Sequence, residues 1–192
     1  MPRRVSGSLL VLVLFAAACG SPPSKELHQA QGAIDAARAA GADEYATDDY
    51  QAAVAALARA EQAVAQRDYR LALSQALDSR EFAQSAAKLA ASQKAQVRSE
   101  AERMLAQVTS IVSVASERLA AAQASRVPRA TLEPVGNAIA SARTALDDAG
   151  KALASEDYLE ARKRLEGVAV ALNAALQALP ASPPPRPARR TR

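Results

Sequence analysis

Along the second half of the chain, apolar residues recur at alternating steps of three and four. Leu132, Val135, Ile139, Ala142, Leu146, Ala149 and Leu153 make one series. Tyr158, Ala161, Leu165, Val168, Leu172, Ala175 and Leu179 make the next, and Pro180 closes it. This spacing places one apolar stripe on each helix, as antiparallel bundles and coiled coils require. Between residues 42 and 127 there is neither Pro nor Gly, a stretch that few folds other than all-α tolerate. Helices are predicted over about 25–40, 44–66 and 68–92, and again over about 96–125, 129–154 and 157–179. Val97, Ala101, Met104, Val108, Ile111 and Ala115 carry a seam across the third and fourth of these. Residues 68–124 are therefore read as one rod about 85 Å long at about 1.5 Å per residue, with a polar joint near Ser92-Gln93-Lys94 as the alternative.

The two halves match at an offset of 89 residues. Ala53, Ala56, Leu57, Ala60, Ala63 and Ala65 align with Ala142, Ala145, Leu146, Ala149, Ala152 and Ala154. Asp68-Tyr69 aligns with Asp157-Tyr158, and Ala72 with Ala161. Ala on Ala says little in a chain that is about a quarter Ala, but the paired Leu and the ungapped D-Y-x-x-A point to a duplication. The expected fold is all-α: two tandem three-helix, coiled-coil-like bundles, over 26–92 and 93–179, joined by a long central helix. In each shared turn the Asp can cap the free N–H groups of the next helix, and Glu160 completes a capping box in the second copy. The Tyr can cover the hairpin end, and the Ala lets the helices approach.

Composition supports this reading. Hydrophobic residues make up 49% of the 192, yet aromatics supply only 3% and Trp is absent. A β-sandwich or barrel would call for β-branched and aromatic residues, whereas Ala enters helices at no side-chain entropy cost. The net charge of +4 is unevenly spread: Arg3, Arg4, Arg186, Arg189, Arg190 and Arg192 lie at the ends, and all 20 acids lie between them. The helical body is thus slightly acidic, unlike a nucleic-acid binder with its positive charge along a folded face. Seven Gly, one His and one Cys leave little for phosphate loops, metal sites or cofactor sites.

Residues 1–18 read as a bacterial export signal, with Arg3 and Arg4 preceding an apolar run from Leu9 to Ala18. The run is shorter than the about 20 residues that a spanning helix needs. It ends Ala16-Ala17-Ala18-Cys19-Gly20, which resembles the lipobox of bacterial lipoproteins, where small residues precede a Cys that is acylated and becomes the mature N-terminus. Leu is usual three positions before that Cys and this chain has Ala16, so plain signal cleavage after Ala18 is the rival. Acylation would consume the single thiol and leave no disulfide. By the same resemblance, Gly20 after the Cys favours the outer membrane. Residues 19–25 would then be the lipidated N-terminus and linker. Residues 180–192 form a Pro- and Arg-rich tail whose Arg186, Arg189, Arg190 and Arg192 either aid solubility or grip anionic lipid or cell wall.

Other candidate chemistry reads as ordinary structure. His28 has Leu27, Gln29 and Ala30 for neighbours and is expected on the surface. Asp48-Asp49 and Asp147-Asp148 are adjacent pairs; on a helix such residues point about 100° apart and cannot flank one bond. Asp48 and Asp49 suit the positive end of a helix, and Asp147 can pair with Lys151. Tyr45, Tyr50, Tyr69 and Phe82 are expected to fill space that Ala leaves open, with a ligand patch as the sharper alternative.

Over residues 26–90 the stretch A-A-G-A-D-E-Y-A-T-D-D-Y, continued by R-D-Y and Ala, resembles an Ala-rich domain of unknown function found in proteobacterial lipoproteins. Relatives carry Gly before Asp-Tyr, where this chain has Arg67. The resemblance implies an all-α envelope lipoprotein and assigns no catalytic residue. Some relatives join the domain to a peptidoglycan-binding one; none follows here, so cell-wall binding does not carry over. The expectation is a non-enzymatic protein facing the periplasm. Cys19 would hold it to the membrane, and its helical faces would meet an envelope protein partner.

Overall fold

The computed structural model describes residues 21–179. They are all-α, without strands among the described residues. The order is α1 (Ser24–Ala39), α2 (Ala42–Tyr45), α3 (Thr47–Ala65), α4 (Tyr69–Ala124), α5 (Arg129–Ala154), α6 (Tyr158–Leu165) and α7 (Val168–Gln177). Residues 1–18, read above as an export signal, lie outside the described residues, as do Cys19 and the tail arginines.

The chain divides into two compact units between Gln93 and Lys94, and α4 runs unbroken through that point. The polar joint at Ser92-Gln93-Lys94 is therefore absent. Ser is only slightly less favourable than Gln or Lys in a helix interior, and no Gly or Pro forces an end there.

In the first unit the core is built largely from Ala. Ala30, Ala37, Ala53, Ala83, Ala86 and Ala90 are fully buried, beside Ile34, Tyr50 and Leu57. Small side chains let helix backbones come close, and the few large ones occupy the remaining volume. Tyr50 does this while keeping its hydroxyl satisfied: Arg38 Nε donates to it at 2.8 Å, and the guanidinium stands 5.6 Å from the ring centroid. Ser79, fully buried, donates to the Ala53 carbonyl oxygen at 2.8 Å and ties α4 to α3. Phe82 departs from expectation. At 40% exposure it does not fill the core, because the inward line of α4 is Ala72, Ala76, Ser79, Ala83 and Ala86, and Phe82 falls to one side of it.

The second unit uses bulkier residues: Val108, Val112, Val135, Ile139, Leu165, Leu172, Leu176 and Leu179 are buried together. Burial of each such Leu or Ile contributes about 1.5–3 kcal/mol, so this unit relies less on close Ala contact than the first.

Two predicted helices begin or end differently. The helix expected over 44–66 starts at Thr47, after the single turn of α2, because Ala46 adopts φ −144°. Gly41, at φ 82°, makes that entry possible, since only glycine takes the left-handed region without cost. The helix expected over 157–179 is two helices, α6 and α7. Glu166 is extended and Gly167 left-handed at φ 74°, so the chain turns at Glu166-Gly167 while Leu165 and Leu172 both stay buried.

Candidate functional site

The feature most strongly marked in the sequence, the paired Asp-Tyr turn, has one geometry in both places. After α3, Arg67 N donates to Val64 O at 2.9 Å and Asp68 N to Ala63 O at 2.9 Å. After α5, Glu156 N donates to Leu153 O at 3.2 Å and Asp157 N to Ala152 O at 2.9 Å. These are Schellman motifs, in which the residue past the helix cap is left-handed and satisfies the last carbonyls. Arg67 and Glu156 accordingly both have φ 62°. Each Asp then serves the next helix: Leu71 N donates to Asp68 Oδ1, and Glu160 N to Asp157 Oδ1, both at 3.0 Å. Every one of these bonds recurs at the 89-residue offset. The likeness stops past the turn, since Gly167 separates α6 from α7 whereas Asp78, 89 positions earlier, lies inside α4.

The capping box at Glu160 is not formed. Its carboxylate accepts from Arg164 Nε at 2.6 Å and lies 3.8 Å from Lys163 Nζ. The Asp157 N–H it would have served is already bonded to Ala152 O. A Schellman turn and a reciprocal capping box compete for one donor, and the turn takes it.

The two tyrosines differ in setting. Tyr69 is half-exposed, whereas Tyr158 is buried beneath two cations, with Lys94 Nζ 5.6 Å and Arg98 Cζ 5.8 Å from its ring centroid. Around it lies an ionic cluster: Lys94 with Glu156 at 3.2 Å, Arg98 with Glu102 at 2.8 Å, and Arg162 with Glu100 at 3.4 Å. Hydrogen bonding to Glu102 raises the Arg98 pKa above its ordinary value. Hydrogen bonds from Gln96 and then Arg162 hold the Glu100 carboxyl below the usual range. Such exposed pairs are solvated and screened, so each adds little to stability.

The other candidates are placed as follows. His28 is exposed on α1. Asp48 and Asp49 stand in the first turn of α3, and Asp49 Oδ2 accepts from Ser85 Oγ at 3.2 Å. Lys151 Nζ binds Asp147 Oδ2 at 2.6 Å and lies 3.9 Å from Asp148; the bond to Asp147 raises the Lys151 pKa. Tyr45, Tyr50, Tyr69 and Phe82 do not converge on one site. Tyr45 and Tyr50 pack into the first core, while Tyr69 and Phe82 lie apart from it along α4.

Two open clefts flank α3 and α4. One of about 380 Å³ is lined by Glu44, Tyr45, Asp48, Asp49 and Leu89; the other, about 390 Å³, by Arg59, Gln62, Gln66, Leu71 and Gln75. Among the described residues no group of three or more His, Cys, Asp or Glu is placed to hold a metal ion, and no helix is long and apolar enough to cross a membrane.

The left-handed residues Arg67, Arg126 and Glu156 escaped sequence reasoning, because a left-handed residue that is not Gly carries no obvious mark. Compared with protein-family models, curated proteins and solved structures, the chain finds no match.

Proposed function

We propose that the chain is a lipid-anchored, non-catalytic protein of the bacterial envelope, facing the periplasm and more suited to the outer membrane than the inner. Its helical faces act as a scaffold or adaptor surface for a protein partner. The observation that carries this reading is Cys19, set directly after the apolar run and before Gly20-Ser21-Pro22-Pro23. Two or three acyl chains, at about 0.8 kcal/mol per buried CH₂, would hold the protein firmly on a bilayer. The chemistry of the body supports a surface role: the carboxylates of Asp68 and Asp157 cap helices, and those of Asp147, Glu100, Glu102 and Glu160 are spent on ion pairs.

Mass spectrometry of the N-terminal peptide, from protein made in a Gram-negative host, tests this. The expected product begins at an acylated Cys19. An unmodified Cys19, whether freed by cleavage after Ala18 or within an intact leader, would overturn the anchor.

A second reading rests on the four arginines among the last seven residues. The tail would then tether the protein to anionic lipid or cell wall. Deleting residues 181–192 should in that case abolish sedimentation of the unlipidated protein with anionic vesicles or sacculi, and equal sedimentation without them argues against it.

A further inference from the structure

The two flanks of α4 in the first unit both expose leucines but are oppositely charged. At roughly 100° per residue, Arg70, Leu73, Leu77, Arg80, Gln84 and Lys88 fall within an arc of about 80°, to one side of the buried Ala line. Leu73 and Leu77 are each 39% exposed. Arg80 Nη1 donates to Gln29 Oε1 at 2.9 Å, which places α1 beside this arc and brings in exposed Lys25 together with Glu26, while Glu81 borders it; the cations still outnumber the acids. The opposite flank exposes Leu71, Phe82 and Leu89 and carries Arg59, which donates to Gln75, but Asp78 on α4 and Asp48 and Asp49 on α3 outweigh it. Apolar area does not choose between the flanks. Charge does.

We propose that the α1–α4 face of the first unit, carrying Lys25, Arg70, Leu73, Leu77, Arg80 and Lys88, lies against an anionic phospholipid surface. Leucines flanked by long cationic side chains are what an interfacial helix presents: the apolar groups enter the headgroup boundary, and the cations reach lipid phosphates. The occupant also follows from chain length. Cys19 stands five positions before Ser24, the first residue of α1. Five residues span at most about 17 Å, so an acylated Cys19 would keep α1 within that distance of the bilayer. The face at α1 with surplus positive charge is then the one held closest. This inference rests on the reading of Cys19 as acylated.

The absence of Trp makes a single introduced Trp a clean reporter. Lipidated full-length protein carrying Leu77→Trp, or Phe82→Trp on the opposite flank, is reconstituted into vesicles of phosphatidylglycerol and phosphatidylcholine containing brominated acyl chains. The expected result is blue-shifted, quenched emission from the Leu77→Trp protein and unquenched emission from the Phe82→Trp protein, with quenching lost in pure phosphatidylcholine. Adding Arg70→Gln and Lys88→Gln should lower the ratio of surface-bound to lifted-off unit about 25-fold, near fivefold per cation. Quenching equal at both positions, absent at both, or indifferent to anionic lipid would overturn the proposal. Leu73→Trp replaces Leu77→Trp if circular dichroism shows lost helix. Flotation of the vesicles separates the two ideas. Protein that floats unquenched keeps its anchor and refutes the face. Protein that does not float lacks the anchor, and titrating it with the same vesicles still tests the face by the same quenching pattern.

Discussion

Replacing Arg67 by Gly should stabilise the protein. Arg67 sits at φ 62° as the left-handed residue of the turn between α3 and α4, and that region costs an L-residue about 1–2 kcal/mol. Glycine avoids the cost but loses about 0.5–1 kcal/mol more conformational freedom on folding. The difference leaves a net gain of about 0.5–1 kcal/mol. The Arg67 side chain is exposed, so little packing is lost to offset it. Urea unfolding followed by circular dichroism should show a higher midpoint at unchanged slope. The mirror experiment is Gly41→Ala. Gly41 holds φ 82°, and a Cβ there would stand 3.3 Å from Tyr45 Cδ2, so Ala should cost about 1–2 kcal/mol. A lowered midpoint for Arg67→Gly, or no change for Gly41→Ala, would refute the claim that backbone conformation dominates these turns. Glu156→Gly should gain less than Arg67→Gly, because it also gives up the exposed ion pair with Lys94.

Removing the caps by Asp68→Ala or Asp157→Ala should each cost about 1 kcal/mol in the same urea assay. Glu160→Ala should cost clearly less, since Glu160 does not close a capping box. Ser79→Ala should lose about 1 kcal/mol with the bond to Ala53. Ser79→Leu gives up the same bond and also overpacks a fully buried site, so it should lose about 1–3 kcal/mol more than Ser79→Ala, and equal stability of the two variants would show that the helices there can part freely. Glu100 titrates below the usual carboxylate range in the folded protein, so its contribution to stability is complete above the ordinary value and disappears as pH falls through the lowered one. A carboxyl NMR titration should show that low midpoint, rising on Gln96→Ala and also on Arg162→Gln. A midpoint at or above the ordinary Glu value would rule out the assigned hydrogen bonds.

Much of the fold was legible because its signals are local. The three-and-four spacing from Leu132 to Leu153 names a helix whatever it packs against, and a chain without Gly or Pro from residue 42 to 127 has few other options. The buried line Ala72, Ala76, Ser79, Ala83 and Ala86 was readable the same way. The Asp of each Asp-Tyr pair announced a cap by residue type alone. The candidate site was less legible, because a face of solvated cations and half-exposed leucines looks, residue by residue, like any helix surface.

By itself, then, the sequence determined the all-α class, the inward stripes and the two capping aspartates, since each depends on residues within a turn or two of one another. Tertiary structure decided the left-handed Arg67, Arg126 and Glu156, the break at Gly167 and the loss of the capping box at Glu160. Those are settled by where one helix must stop for the next to pack against it. Two local preferences can claim one N–H group, as at Asp157, and only the packed arrangement shows which of them keeps it.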